Sequence, residues 1–166
     1  VASAPARAET AYDFSLPNIT GGELNLADYR GKALLLVNTA SFCGFTKQYD
    51  GLQALWDGYR ARGLIVLGVP SNDFGSQEPG AKAEIKEFCE VNFAINFPMS
   101  DKVAVKGQAA HPLYKWLEQE TGKTPKWNFH KFLVGTDGRA VRDISSLTKP
   151  QSKKLIRAVE AALPQG

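Results

Sequence analysis

Two apolar runs mark the first half of the chain. Residues 33–40 (ALLLVNTA) and 64–69 (LIVLGV) lack the alternation of a half-solvated strand and predict strands buried on both faces of a sheet. Between them Leu52, Leu55, Trp56 and Tyr59 recur at helical spacing, and Gly63 stands where a helix C-cap glycine would. This β-helix-β order predicts a right-handed crossover joining two parallel strands. Upstream, ordered structure is expected from Tyr12-Asp13-Phe14, with Gly21-Gly22 turning between two short strands. Downstream, Pro79-Gly80 opens a second helix carrying Ile85, Phe88 and Cys89 along one side, and residues 111–119 predict a third. Residues 131–134 and 139–143 flank Gly135-Thr136-Asp137-Gly138, a hairpin turn signal. A last amphipathic helix is expected over about residues 150–163.

These elements predict an α/β fold, a central mixed sheet with helices on both faces, and a thioredoxin-like order fits them best. A chain of 166 residues, 43% hydrophobic and 22% charged, suits one domain. That domain is placed at residues 12–166, after an N-terminal tail at 1–11. The tail (VASAPARAET) is Ala-rich, and Ala6-Arg7-Ala8 reads like the end of a secretory signal, so a periplasmic or exported location is expected, with a cytoplasmic one as the alternative. No apolar stretch reaches the roughly 20 residues a membrane-spanning helix needs. The net charge of +3 comes from scattered residues. The densest basic stretch, 149–157, reads as the wet face of a helix, not a nucleic-acid patch. Two cysteines far apart and two histidines, His111 and His130, with no ligand spacing between them argue against a disulfide scaffold and a metal site.

Cys43 is the candidate nucleophile. It follows the first buried strand and precedes a helix, in Asn38-Thr39-Ala40-Ser41-Phe42-Cys43-Gly44-Phe45-Thr46. Strand carboxyl ends are where open α/β sheets build sites, and a helix N-terminus favours thiolate over thiol. A buried structural cysteine is the alternative. Position does not name the reaction. Thr46 stands where a thioredoxin-type oxidoreductase would need its second cysteine, and Ala40 stands where a peroxiredoxin would want Thr or Ser.

The segment 38–46 (NTASFCGFT) resembles the nucleophile segment of the glutathione peroxidases, with cysteine where some members carry selenocysteine. The resemblance continues at 72–80 (NDFGSQEPG), at 127–134 (WNFHKFLV) and at Ser145-Ser146-Leu147-Thr148. It implies a catalytic group of Cys43, Gln77, Trp127 and Asn128 and no cofactor. The residue types agree: cleaving an O–O bond needs a sulfur nucleophile and donors for thiolate and departing alkoxide, and amide and indole N–H groups donate without adding charge. Taken singly, Trp127 could be core, and Gln77 and Asn128 turn or cap residues. Where many relatives read Pro-Cys-Asn-Gln, this chain reads Pro70-Ser71-Asn72-Asp73. A carboxylate facing the site would raise the Cys43 pKa, so Asp73 is expected to face solvent or pair with a Lys or Arg.

Cys89 reads as a core residue from its helix face. Its surroundings, Phe88 to Phe93 with Phe97-Pro98-Met99 beyond, resemble the resolving-cysteine segment of the two-cysteine, thioredoxin-dependent branch of the family. The resemblance implies reduction of hydrogen peroxide and organic or lipid hydroperoxides through a Cys43 sulfenic acid and a Cys43–Cys89 disulfide, recycled by a thioredoxin-like protein. A disulfide needs Cα atoms within about 7 Å, so unwinding of the Cys89 helix is expected. No Lys or Arg cluster matches a dedicated glutathione site. Larger tetrameric members of the family carry extra sequence between the positions of Gln119 and Trp127, so the resemblance implies a monomer here. A one-cysteine, glutathione-dependent peroxidase and a peroxide sensor relaying its disulfide to a partner protein are the alternatives.

Overall fold

The computed structural model describes residues 10–164 apart from positions 43, 79 and 140. Its centre is a four-stranded sheet in the order β4-β3-β5-β6. The strands β3 (Ala33–Thr39) and β4 (Leu64–Pro70) run parallel, with Leu35 opposite Val66. The strands β5 (Lys131–Val134) and β6 (Val141–Ile144) complete the sheet antiparallel to their neighbours, which makes it mixed. Every residue of β3 and β4 is buried, as their unbroken apolar character requires. A separate hairpin pairs β1 (Ser15–Pro17) with β2 (Glu23–Asn25) around the Gly21-Gly22 turn.

Alternate residues of β3 feed two cores. Leu35 and Val37 pack with Tyr49, Leu52 and Leu55 of α1 (Gln48–Tyr59), Ile85 and Cys89 of α2 (Lys82–Phe93), and Leu155 and Val159 of α4 (Lys153–Ala162). On the opposite face Leu34 and Leu36 pack with Leu113, Tyr114 and Leu117 of α3 (Pro112–Thr121) and with Leu16 and Leu24 of the hairpin. Helices therefore cover both faces. Strand β4 is an edge, and the segment beyond α2 covers it: Gly68 N–H donates to the Pro98 carbonyl and Ser100 N–H to the Gly68 carbonyl, each at 2.9 Å.

Several boundaries differ from expectation for local reasons. Ordered structure begins before Tyr12, because the Thr10 hydroxyl caps a 3-10 turn over Ala11–Asp13 and Ala11 is fully buried. Helix α2 starts at Lys82 after an extended Ala81, not at Pro79-Gly80, and Pro79 itself lies outside the described residues. Helix α3 runs on to Thr121, capped by His111 Nδ1, which accepts from Leu113 N–H at 3.1 Å. Helix α4 begins at Lys153 because the Ser152 hydroxyl takes its orphan Leu155 N–H. Lys153, Lys154 and Arg157 are exposed along it. The residues 1–9, which carry the signal-like tail, lie outside the described set. No helix of the described residues is long and apolar enough to cross a membrane.

Candidate active site

The carboxyl end of β3 is where polar side chains enter the core: Asn38 and Thr39 are fully buried, and the chain leaves the strand through Ser41 and Phe42. Cys43 lies outside the described residues, between Phe42 and Gly44. Three segments meet around this exit. The 72–78 strap joins it because Phe42 N–H donates to the Gln77 carbonyl at 2.9 Å. The 127–130 turn joins it through Asn38: the amide Nδ2 donates to the Trp127 carbonyl at 3.0 Å, and the Asn38 carbonyl accepts from Phe129 N–H at 2.6 Å.

The turn and the strap then meet side chain to side chain. Asn128, 0% exposed, donates its Nδ2 to Gln77 Oε1 at 2.9 Å and to the Phe74 carbonyl at 3.3 Å. The Gln77 acceptor is thereby occupied, which leaves its Nε2 as the end available for donation; no partner for it occurs among the described residues. The Trp127 ring leans on Phe74 with centroids 5.8 Å apart and is 38% exposed. Its indole N–H likewise has no partner among the described residues. Gly75 sits under this ring at φ +68°, and a Cβ there would lie 3.2 Å from Trp127 Cη2. The structure thus brings Gln77, Trp127 and Asn128 together. Asn128 lies in the 127–130 turn, buried, and bonds Gln77 side chain to side chain.

Asp73 is half-buried and pairs with no cation among the described residues. Its carboxylate accepts the backbone N–H groups of Val105 at 2.7 Å and Lys106 at 3.2 Å, which holds the adjacent loop. The expectation of solvent or an ion pair did not include backbone donors, which satisfy a half-buried carboxylate equally well. The Lys106 ammonium sits 4.6 Å from the Phe74 ring centroid, so the loop that Asp73 holds also buttresses the ring beneath Trp127.

Cys89 is 1% exposed on the inner face of α2. Burial pushes its thiol up to about 11; the nearby Tyr49 hydroxyl opposes the shift, while Glu78 and Glu90 add to it. Half-buried Phe88 and Phe93 of the same helix pack against this core, Phe93 on Tyr49 and Phe88 on Phe42. Ile85 and Cys89 are its buried residues, its N-cap Ala81 offers no side-chain bond, and Val91 is 75% exposed. The segment from Glu78 to Gly80 joins this helix to the strap, and Lys102 Nζ donates to the carbonyls of both residues at 2.9 Å. Glu78 is itself buried, and burial pushes its carboxyl above the usual range against the opposing effects of Ser41 and Lys102. Among the described residues no cluster of His, Cys, Asp and Glu could hold a metal.

Sequence reasoning passed over Asn38 and Glu78. Asn38 had a visible signal, a carboxamide inside an otherwise apolar run. A buried amide in a strand must find partners, and its partners are the backbone of the 127–130 turn.

The glutathione peroxidase family profile matches residues 11–118. The chain is 47% identical over 154 residues to "Hydroperoxy fatty acid reductase gpx1" of Synechocystis sp., covering 85% of this chain and 89% of that one. It is 43% identical over 144 residues to "Glutathione peroxidase" of Lactococcus lactis, covering 84% and 92%. It is also 43% identical over 146 residues to "Glutathione peroxidase-like peroxiredoxin 2" of Saccharomyces cerevisiae, covering 85% and 90%. Among solved structures, apo Trgpx superposes with a TM-score of 0.73 at 37% identity, covering 93% of this chain and 97% of that one. A thioredoxin-family thiol:disulfide interchange protein from Chlorobium tepidum shares the fold at a TM-score of 0.69 and 20% identity, covering 96% and 99%. With the thioredoxin-like sheet, this similarity makes the chain a member of the glutathione peroxidase family and a peroxidase.

Proposed function

We propose that the chain is a two-cysteine thiol peroxidase in which Cys43 attacks the hydroperoxide, Gln77, Trp127 and Asn128 form the site around it, and Cys89 resolves the oxidised sulfur. The Cys43 thiolate attacks the terminal peroxide oxygen, the O–O bond breaks, and the alkoxide leaves with a proton as alcohol or water. Cys43 is then a sulfenic acid. The Cys89 thiol, losing its proton, displaces hydroxide from that sulfur, so a disulfide and water result. A dithiol protein of thioredoxin type returns both cysteines to thiols by disulfide exchange.

The observation that carries this reading is the Asn128–Gln77 bond at 2.9 Å. It occupies the Gln77 carbonyl oxygen and leaves the Gln77 Nε2 for donation, beside the strand exit that the Phe42 N–H ties to Gln77. Neutral donors held in place suit a reaction in which negative charge moves from sulfur to oxygen. The name of the Synechocystis relative supports hydroperoxides of long-chain acids among the substrates. The exposed Phe42 and Trp127 give the same face an apolar character that suits both such substrates and a protein reductant. The absence of a long insertion before Trp127 supports a monomer.

A second reading is favoured by the burial of Cys89 and its thiol at about 11, which suit a structural residue. Cys43 would then be reduced by an external thiol such as glutathione. One equivalent of hydrogen peroxide followed by mass spectrometry separates the two. The two-cysteine cycle yields a Cys43–Cys89 bond, and Cys89→Ser protein stops at a trappable sulfenic acid with thioredoxin-coupled turnover lost. Wild-type protein that holds Cys43 as sulfenic acid with Cys89 free overturns the cycle.

A further inference from the structure

Lys131 is the first residue of β5, in register between Val37 and Ile144, and is 0% exposed. A charged side chain in the middle of a sheet is costly, and the rest of the strand, Phe132, Leu133 and Val134, is apolar. No carboxylate lies within ion-pair distance of Lys131 among the described residues. Burial accordingly pushes its ammonium down to about 7. An apolar residue of the same length would fill the position without that penalty. What the lysine adds is one contact: its Nζ donates to the Phe129 carbonyl at 2.7 Å.

Phe129 is the residue after Asn128, and its backbone is left-handed at φ +63°, a conformation bulky side chains avoid. The surrounding structure must hold it there. Asn38 takes most of the turn's polar groups: its Nδ2 binds the Trp127 carbonyl, its carbonyl accepts Phe129 N–H, and its N–H donates to the His130 carbonyl at 3.3 Å. The Phe129 carbonyl is the group that Asn38 leaves over. Lys131 satisfies it from inside the core.

We infer that Lys131 is a positioning residue of the peroxidase site, acting through the Phe129 carbonyl to lock the turn that sets Trp127 and Asn128 against Gln77. The inference rests on the assignment of those three residues to the site. It assigns to the lysine a role in geometry, not in contact with substrate.

The test uses the reduced full chain and measures the second-order rate constant of Cys43 oxidation by hydrogen peroxide and by tert-butyl hydroperoxide. Lys131→Met should remain folded with an unfolding temperature at or above that of wild type, because it removes a buried charge. Its rate constant should fall on the order of tenfold or more, by the same factor for both peroxides, because the donors and not a substrate pocket are displaced. Lys131→Gln keeps a neutral donor and should recover part of the loss, a rescue that a space-filling role would not produce. A Lys131→Met protein oxidised at the wild-type rate, beside an Asn128→Ala protein that is slowed, overturns the inference and leaves the site standing. Wild-type rates in both variants overturn the site and the inference with it. If Lys131→Met does not fold, a folded Lys131→Leu protein, which also lacks the donor, decides: a lowered rate supports the inference and an unchanged one overturns it.

Discussion

On the proposed cycle Cys89 must leave the core before it can reach Cys43, so the stability of the first turn of α2 should set how fast the disulfide forms. Ala81 occupies the N-cap with extended backbone and makes no side-chain bond, while Glu84 stands at the third helical position with its carboxylate folded back toward Gly80. Ala81→Ser would supply the missing half of a capping box, a Ser-x-x-Glu pair satisfying two orphan N–H groups. Such a cap is worth about 1 kcal/mol, and since about 1.4 kcal/mol is a tenfold change, the opened population should fall about fivefold. Ile85→Val acts in the opposite sense. Ile85 is one of the two buried anchors of the helix, and loss of its methylene costs about 1 kcal/mol, so disulfide formation should speed up about fivefold by the same arithmetic. The assay oxidises reduced protein with one equivalent of peroxide, quenches with an alkylating agent at set times, and follows the Cys43–Cys89 species by mass spectrometry. The first oxidation, read as loss of the Cys43 thiol, should be unchanged in both variants, because Ala81 is exposed and Ile85 lies on the inner face of α2, apart from Gln77, Trp127 and Asn128. Equal disulfide rates in wild type, Ala81→Ser and Ile85→Val would refute the reasoning, since Cys89 would then reach its partner without opening this turn.

Lys131 binds its proton less tightly in the folded protein, at about 7, than at its ordinary 10.5, so the unfolded chain holds more protons between those values and stability rises with pH across that window. Cys89 acts in the reverse sense above its ordinary value of 9.0, because its folded thiol is raised to about 11. From pH 7 to 9, therefore, urea unfolding should show a gain approaching about 2 to 3 kcal/mol in wild type. His130 and Asp143 lie beside Lys131 in both proteins. Lys131→Met should lose this slope, and an equal slope in both would refute it. Gly75→Ala places a methyl group against Trp127 at a positive φ; it should destabilise by about 1 kcal/mol or more and slow Cys43 oxidation, an effect absent if the Trp127 position is irrelevant to rate. Asp73→Asn should leave the Cys43 pKa, measured from the pH dependence of alkylation, where it was, because the carboxylate is committed to the Val105 and Lys106 amides. The same variant should cost about 1 kcal/mol of stability as charge-assisted bonds become neutral, and a marked fall in the Cys43 pKa would contradict the structure.

The layers of the fold were legible because each rests on a local period. The continuous apolar runs at 33–39 and 64–69 had to be doubly covered strands, and the Gly135 to Gly138 turn had to join two antiparallel ones. Helix starts were less legible because they depend on which side chain happens to cap: His111 and Ser152 do, whereas nothing caps α2, and its start slid past Pro79-Gly80 to Lys82. The proposed members of the site were implied by the family resemblance, yet the bonds among them were not legible. That Asn128 bonds Gln77, and that Asn38 clamps the turn between them, depends on three segments far apart in sequence meeting at one strand end. The partners of Asp73 were not legible for the same reason, since they are backbone amides more than 30 residues away, which leave no signature in side-chain composition.

The two cysteines of the proposed cycle face opposite requirements, and different devices meet them. The attacking sulfur needs ionisation and fixed donors, so its surroundings are bound by many short links: Phe42 to Gln77, Gln77 to Asn128, Asn38 to the Trp127–Phe129 backbone, and Lys131 to Phe129. Each link crosses between segments, and loosening any one displaces donors without unfolding the sheet beneath. The resolving thiol needs to be inert until a sulfenic acid exists. Burial accomplishes that by holding it near 11, and the same burial hides it from its target. A helix with two buried anchors and no N-cap reconciles these demands, because it is stable enough to keep the thiol protonated and weak enough to open. Rigidity at the strand end and weakness in α2 are then complementary, and the Gln77–Gly80 segment that joins them is where a change in one would be felt by the other.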